Sequence, residues 1–200
     1  GFEKVFEIGA YYRAERSYTA RHTAESTCVD FEIADVKSHL EIMDFEEDWI
    51  LYVLQKVKDK YGSLIKSVFD TEIKLPTDRI PRIKLCDVFK IFKEVYGTEA
   101  EKLICEYARD YLGSELVFIT DYPAEARAFY SKRYDDDSLD CMSLDLLYRG
   151  WEMNSGAVRE HRYEVLKKQI AEKGIDPDKM AGYLEFFKYG CPPHGGIGFR

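Results

Sequence analysis

Apolar and polar residues come close to alternating over FEKVFEIGAYYRAE, residues 2–15, which is the period of a half-buried strand. STCVDFEIAD at 26–35 has the same character, and the polar run RSYTARHTAE separates the two. Together they predict a long antiparallel hairpin. The period then lengthens to four. Phe45, Trp49, Val53 and Val57 predict a helix core stripe, with Asp44 as its cap and Gly62 as its stop. Residues 63–84 hold two prolines and read as a connecting arm. A second helix is expected near 86–96, with Val88, Phe89, Phe92, Val95 and Tyr96 on one face. Thr98 and Glu101 form a capping-box pattern that opens a third, ending near Leu112. Strand patterns return in ELVFITDY, EARAFYSKR and DCMSLDLLYRG, with a solvated turn at 135–137. From Ser155 a helix is expected to run to Lys173 and stop at Gly174. Asp176-Pro177 opens another, with proline at the favoured first position. These elements predict the α+β class, a mainly antiparallel sheet with helices against it. Residues 63–113 read as a helical insertion between its strands.

Composition narrows the function. The chain is 46 % hydrophobic and 14 % aromatic, which suits a folded globule of 200 residues. Its net charge of −8 argues against a broad basic face for nucleic acid, without excluding a local cationic site. Five cysteines are scattered without CxxC spacing, so a zinc site or disulfide framework is not expected and a reducing compartment, the cytoplasm, is. No stretch is long and apolar enough to span a membrane. Both ends read as cut from something longer.

The candidate chemistry begins in the hairpin. Arg13 is strand-borne, and its planar fork suits a phosphate. Arg21 and His22 lie in the polar loop, where they could close over a phosphate tail. A second cluster is Glu152, Ser155 and Arg159, with Glu152 and Ser155 bracketing an expected strand-to-helix junction. A carboxylate and a hydroxyl are reasonable Mg²⁺ ligands when phosphates complete the shell. Asp145 is read as support from the preceding strand. The closing PPHGGIGF run allows close backbone approach to a ligand, and lacks the GK[ST] of a Walker loop. His39 and His161 read as surface residues, Cys28 as a packed thiol, and the Trp49 stripe as helix core.

FEIGAYYRAERSYTARHTAESTCVDFE resembles motif 2 of the class II aminoacyl-tRNA synthetases, and is most similar to their aspartyl branch of archaeal type. DYPAEARAFY, LDLLYRGWEMNSGAVREHRYE and YGCPPHGGIGF resemble later segments of the same family, in the same order. The resemblance implies an antiparallel catalytic sheet that activates L-aspartate with ATP and Mg²⁺, then charges the aspartate or asparagine acceptor tRNA, as a homodimer in the full-length protein. Arg13 would grip the ATP α-phosphate and the substrate carboxylate. Glu15 would meet the adenine amino group, and Arg21, His22 and Thr23 the nucleotide and its outer phosphates. Asp30 would lie near the substrate ammonium. Glu152 and Ser155 would hold the metal, with Glu152 beside the ATP and Ser155 beside the amino acid. Arg159 would read the substrate side chain. Arg200 either packs on adenine or marks an accidental break in motif 3. Ser26 stands where many relatives carry a phenylalanine that stacks on adenine. Family rivals are an asparaginyl-tRNA synthetase, a related asparagine synthetase, and a non-catalytic paralogue or fragment.

Overall fold

The computed structural model describes residues 1–14, 23–92, 97–136 and 139–199. Among these residues, seven strands form one sheet in the order β1-β2-β7-β6-β5-β4-β3. They are β1 (Lys4–Tyr12), β2 (Glu25–Ala34), β3 (Arg82–Lys84), β4 (Leu116–Thr120), β5 (Ser143–Tyr148), β6 (Trp151–Arg159) and β7 (His194–Phe199). Every neighbouring pair is antiparallel except β3 and β4. The helices are α1 (His39–Phe69), α2 (Leu85–Phe92), α3 (Gly97–Leu112), α4 (Tyr163–Glu172) and α5 (Ala181–Lys188). The α+β architecture is therefore the expected one, and the opening hairpin is β1 paired with β2 from Lys4↔Ile33 to Tyr12↔Glu25.

Directly paired residues share a face of a sheet. One face carries Phe31, Leu116, Phe118, Leu144, Leu146, Val158 and Ile197, packed on Ile42, Met43 and Ile50 of α1. Phe45 and Trp49 join this core from α1, as the Trp49 stripe predicted. Trp49 meets Phe31 and Phe199 edge-on. The other face is covered only at one end. There Val117, Ile119 and Leu147 lie under Val88 of α2 and Ile104, Cys105 and Ala108 of α3. α4 and α5 form a small core of their own around Leu166, Ile170 and Leu184.

Several element boundaries differ from the sequence reading. α1 begins at Ser38, whose side chain accepts from the backbone while Glu41 answers in a capping box. Asp44 lies inside the helix and binds Arg79 at 2.7 Å and Arg82 at 2.6 Å. Gly62 does not stop it, because one interior glycine costs only about 1 kcal/mol among good helix formers. The stop is Asp70, left-handed at φ 48°. The supposed arm thus starts as the end of α1 and finishes as β3. α2 is described to Phe92, and Val95 and Tyr96 lie outside the described residues. EARAFYSKR is not a ladder strand: Ala124–Ala126 is a 3₁₀ turn, and isolated bridges at Ser131 and Arg133 follow.

The largest correction concerns residues 151–159. They form the strand β6, between β5 and β7, and the helix begins only at Tyr163. Polar Asn154 faces α1, Ala157 faces the cleft side, and the register shifts beside Met153, so no apolar–polar alternation marks this strand. The glycine-rich end is likewise a strand, β7, inserted between β2 and β6. Its glycines are required by neighbouring backbone. A Cβ at Gly195 would stand 2.8 Å from Ala157 O, and one at Gly196 would overlap Phe31 O.

Candidate active site

Beyond the reach of α2 and α3, the second face of the sheet opens into a cleft of about 690 Å³. Its floor comes from four strands in register. Asp30 pairs with Gly198, and Gly198 with Ser155. Glu32 pairs with Gly196, and Gly196 with Ala157. Two glycines therefore keep the middle of the floor low, and a Cβ at Gly198 would come within 2.9 Å of Asp30 Oδ1.

A β-bulge completes the floor. Asp145 pairs with Ser155, but Leu147 pairs with Glu152, so Met153 is the extra residue. Strict alternation would put residues 152 and 155 on opposite faces, and the bulge brings both to the cleft. The sequence reading placed them together for a different reason, a helix junction that does not exist.

The wall opposite the floor is residues 126–131. Asp121, left-handed at φ 58°, turns the chain off the end of β4. Thr120 Oγ1 donates to Asp121 Oδ2 at 2.7 Å, and Tyr134 donates to Oδ1. α4 backs the wall: Gln169 Nε2 donates to Phe129 O at 2.5 Å and Lys173 Nζ to Ala124 O at 2.9 Å. Arg127 ties the wall to the floor, with Nη1 donating to Ser155 Oγ at 2.8 Å and Nη2 pairing with Asp145 Oδ1 at 2.7 Å. Burial, with Asp145 close by, raises the Tyr122 phenol well above its ordinary range, so it stays protonated under the guanidinium.

The cleft brings Arg13, Asp30, Glu152, Ser155 and Arg159 together. Arg13 sits just past β1, where its N–H donates to Ala24 O at 2.9 Å and extends the ladder. Its guanidinium lies 5.5 Å from the Tyr11 ring centre. Asp30 accepts from the Cys28 thiol at 2.9 Å, and Cys28 is the packed residue expected. Arg159 stands at the end of β6 rather than in a helix turn. Its Nε and Nη2 both donate to Glu32 Oε1, at 3.0 and 2.7 Å, and Tyr130 lies under it at 5.4 Å. This pair aims the fork along the floor and leaves further guanidinium donors for a second carboxylate.

Some predicted residues fall elsewhere. Thr23 is exposed before β2 and does not line the cleft. Glu15, Arg21, His22 and Arg200 lie outside the described residues. His39 is buried at 5 % exposure, its Nε2 3.9 Å from Asp121 Oδ1, and burial lowers its pKa. It is no surface residue, and His161 is half-buried. Sequence reasoning gave no role to Glu32, Arg127 or Tyr130. An arginine flanked by two alanines was the signal available for Arg127, since small neighbours leave a cleft wall room.

Among the described residues, no group of three or more His, Cys, Asp or Glu is arranged around a cation position. Glu152 and Ser155 offer one carboxylate and one hydroxyl on one face. That donor set fits Mg²⁺, which takes one or two carboxylates and fills its shell with phosphate oxygens and water.

The family described as "tRNA synthetases class II (D, K and N)" matches residues 1–200. The Aspartate--tRNA(Asp) ligase of Pyrococcus abyssi is 41 % identical over 207 residues, covering 99 % of this chain and 47 % of that protein. The Aspartate--tRNA(Asp/Asn) ligase of Aeropyrum pernix is 37 % identical over 209 residues, with 99 % and 47 % covered. The chain spans about half the length of the curated relatives it matches. The aspartyl tRNA synthetase from Entamoeba histolytica superposes with a TM-score of 0.91 at 28 % identity, over 98 % of this chain and 43 % of that one. The asparaginyl-tRNA synthetase from Pyrococcus horikoshii complexed with asparaginyl-adenylate gives 0.82 at 27 % identity, over 100 % and 48 %. With its sheet and its whole sequence matched in this way, the chain belongs to the tRNA synthetases class II (D, K and N).

Proposed function

We propose that this chain carries the amino-acid activation site of an aspartate–tRNA ligase, in a catalytic domain whose 63–113 segment is an insertion that holds the end of α1, the sheet strand β3 and the helices α2 and α3. The observation that carries the reading is the cleft itself. It is lined by Arg13, Arg159 and the acids Asp30, Glu32 and Glu152, which supports a phosphate grip by Arg13 and a carboxylate grip by Arg159. Arg159 would take the substrate β-carboxylate, and Glu32 would hold the guanidinium at the angle that receives it. Asp30 would accept from the α-ammonium. These contacts leave the α-carboxylate directed at Arg13 and the ATP α-phosphate. One carboxylate oxygen attacks phosphorus, a new O–P bond forms, and the bond to pyrophosphate breaks with its electron pair. No general base is required, because the nucleophile is already ionised. Positioning and charge neutralisation by Arg13 supply most of the acceleration. Glu152 and Ser155 would hold Mg²⁺, which offsets the phosphate charge when bound. Glu15, Arg21, His22 and Arg200 complete the nucleotide's contacts on this reading. tRNA charging, a homodimer and a cytoplasmic setting follow from the same assignment. No helix among the described residues is long and apolar enough to cross a membrane.

Likeness to asparaginyl-tRNA synthetases favours one second reading, with asparagine as the substrate. ATP–pyrophosphate exchange separates the two. Exchange driven by L-aspartate and not by L-asparagine is expected. The reverse selects the second reading, and no exchange with either points to a non-catalytic protein. Release of free asparagine from aspartate and ammonia would instead mark an asparagine synthetase.

A further inference from the structure

Arg127 is 13 % exposed at the cleft edge, and its guanidinium meets four side chains from three segments. It pairs with Asp145 at 2.7 Å, donates to Ser155 at 2.8 Å and to Ser143 at 3.3 Å, and lies 3.7 Å from the Tyr122 ring centre. Glu152 is within its electrostatic reach as well. Arg127 thus lies under the influence of two carboxylates, Asp145 and Glu152, for a local charge of about −1 instead of −2. The guanidinium also occupies one lone pair of Ser155 Oγ, which leaves the other lone pair for a ligand.

We infer that Arg127 is a positioning residue that sets how strongly this site binds a divalent cation. By neutralising Asp145, it keeps the cation weakly held by the protein alone, so that the cation stays only when a polyphosphate completes its shell; its contact with Ser155 orients that ligand, a smaller effect of opposite sign. The inference rests on the proposal that Glu152 and Ser155 are the cation ligands. Lysine could supply the charge, but only the planar fork spans Asp145 and Ser155 together.

The test is Mn²⁺ binding to the nucleotide-free protein, followed by electron paramagnetic resonance, with the Mg²⁺ requirement of pyrophosphate exchange alongside. Arg127→Met is expected to tighten Mn²⁺ binding about tenfold, and Asp145→Asn to weaken it by a similar factor. The double variant should return near the parent. Opposite signs are the signature, since a merely structural role would weaken binding in both variants. Equal signs, or no change in either, would overturn the inference. Where Arg127→Met does not fold, Asp145→Asn decides alone, and unchanged affinity there overturns it. Adding Glu152→Gln to Arg127→Met should abolish the gain. A gain that survives removes Glu152 as a ligand, so failure of that parent reading is distinguishable from failure of the charge argument.

Discussion

The same face of the same sheet is oil at one end and chemistry at the other. Under α2 and α3 it presents Val117, Ile119 and Leu147, all nearly inaccessible. Beyond β5 it presents Ser155 and Arg159 of β6 and Glu32 and Asp30 of β2 around an open cleft. β5 is the hinge of this contrast. Leu147 faces α3, while Asp145, two residues away on the same face, meets Arg127. Where helices cover the sheet, strand side chains contribute stability. Where coverage stops, register alone decides which side chains meet a ligand. Three features make the open end work: a bulge that turns Glu152 inward, glycines that lower the floor, and a wall pinned by Arg127.

The sharpest way to test that division is to remove a residue from the open end. Arg13→Ala should abolish adenylate formation, with a loss of at least about 10³-fold in aspartate-dependent exchange and an unchanged melting temperature. Near-normal exchange would break the assignment. Arg159→Leu should cost about 10²–10³-fold in kcat/KM for aspartate and leave KM for ATP nearly constant. An equal loss for both substrates would mean that Arg159 supports the fold more than it reads the amino acid.

The covered end should behave oppositely. Ile119→Ala leaves a cavity under α3 and is expected to cost about 2–5 kcal/mol in denaturant unfolding, with KM for aspartate unchanged. A KM shift without a stability loss would blur the two regions.

An effect confined to pH dependence concerns the reverse of β6. Glu46 of α1 is fully buried and accepts from the Asn154 amide, next to Ser155. Burial pushes its carboxyl from the ordinary 4.5 up to about 8, with Asn154 pulling downward and Asp145 adding a lesser push. A protonated Glu46 has an O–H to offer, and Asn154 Oδ1 is buried with no other partner among the described residues. The folded state then keeps a proton that the unfolded chain releases. This contribution is full below about pH 4.5 and lost as pH rises through about 8, at up to roughly 1.4 kcal/mol per pH unit. Glu46→Gln should flatten that slope in thermal melts between pH 5 and 8. A slope that survives places its origin elsewhere.

What the sequence made legible follows the same division. The hairpin was readable because β1 and β2 alternate, and with it the placement of Arg13 and Asp30. Residues 151–159 were not, because polar Asn154 faces α1, small Ala157 faces the cleft, and the bulge breaks the two-residue period. The bulge at Met153 has no sequence signature, yet it decides whether Glu152 and Ser155 can share a ligand. Gly62 was overvalued as a helix stop, since long-range packing and the Ser38–Glu41 cap set the limits of α1. Arg127 stayed hidden because its meaning depends on partners 16 to 28 residues away.

The central claim is that the open end of the sheet holds aspartate and adenylate together. Calorimetric titration with a non-hydrolysable aspartyl-adenylate analogue, an aspartyl sulfamoyl adenosine, tests it without relying on turnover. Binding should be at least about 100-fold tighter than that of aspartate, and Arg159→Leu should remove most of the gain. Equal affinity for the asparaginyl analogue, or no binding of either, would contradict the account.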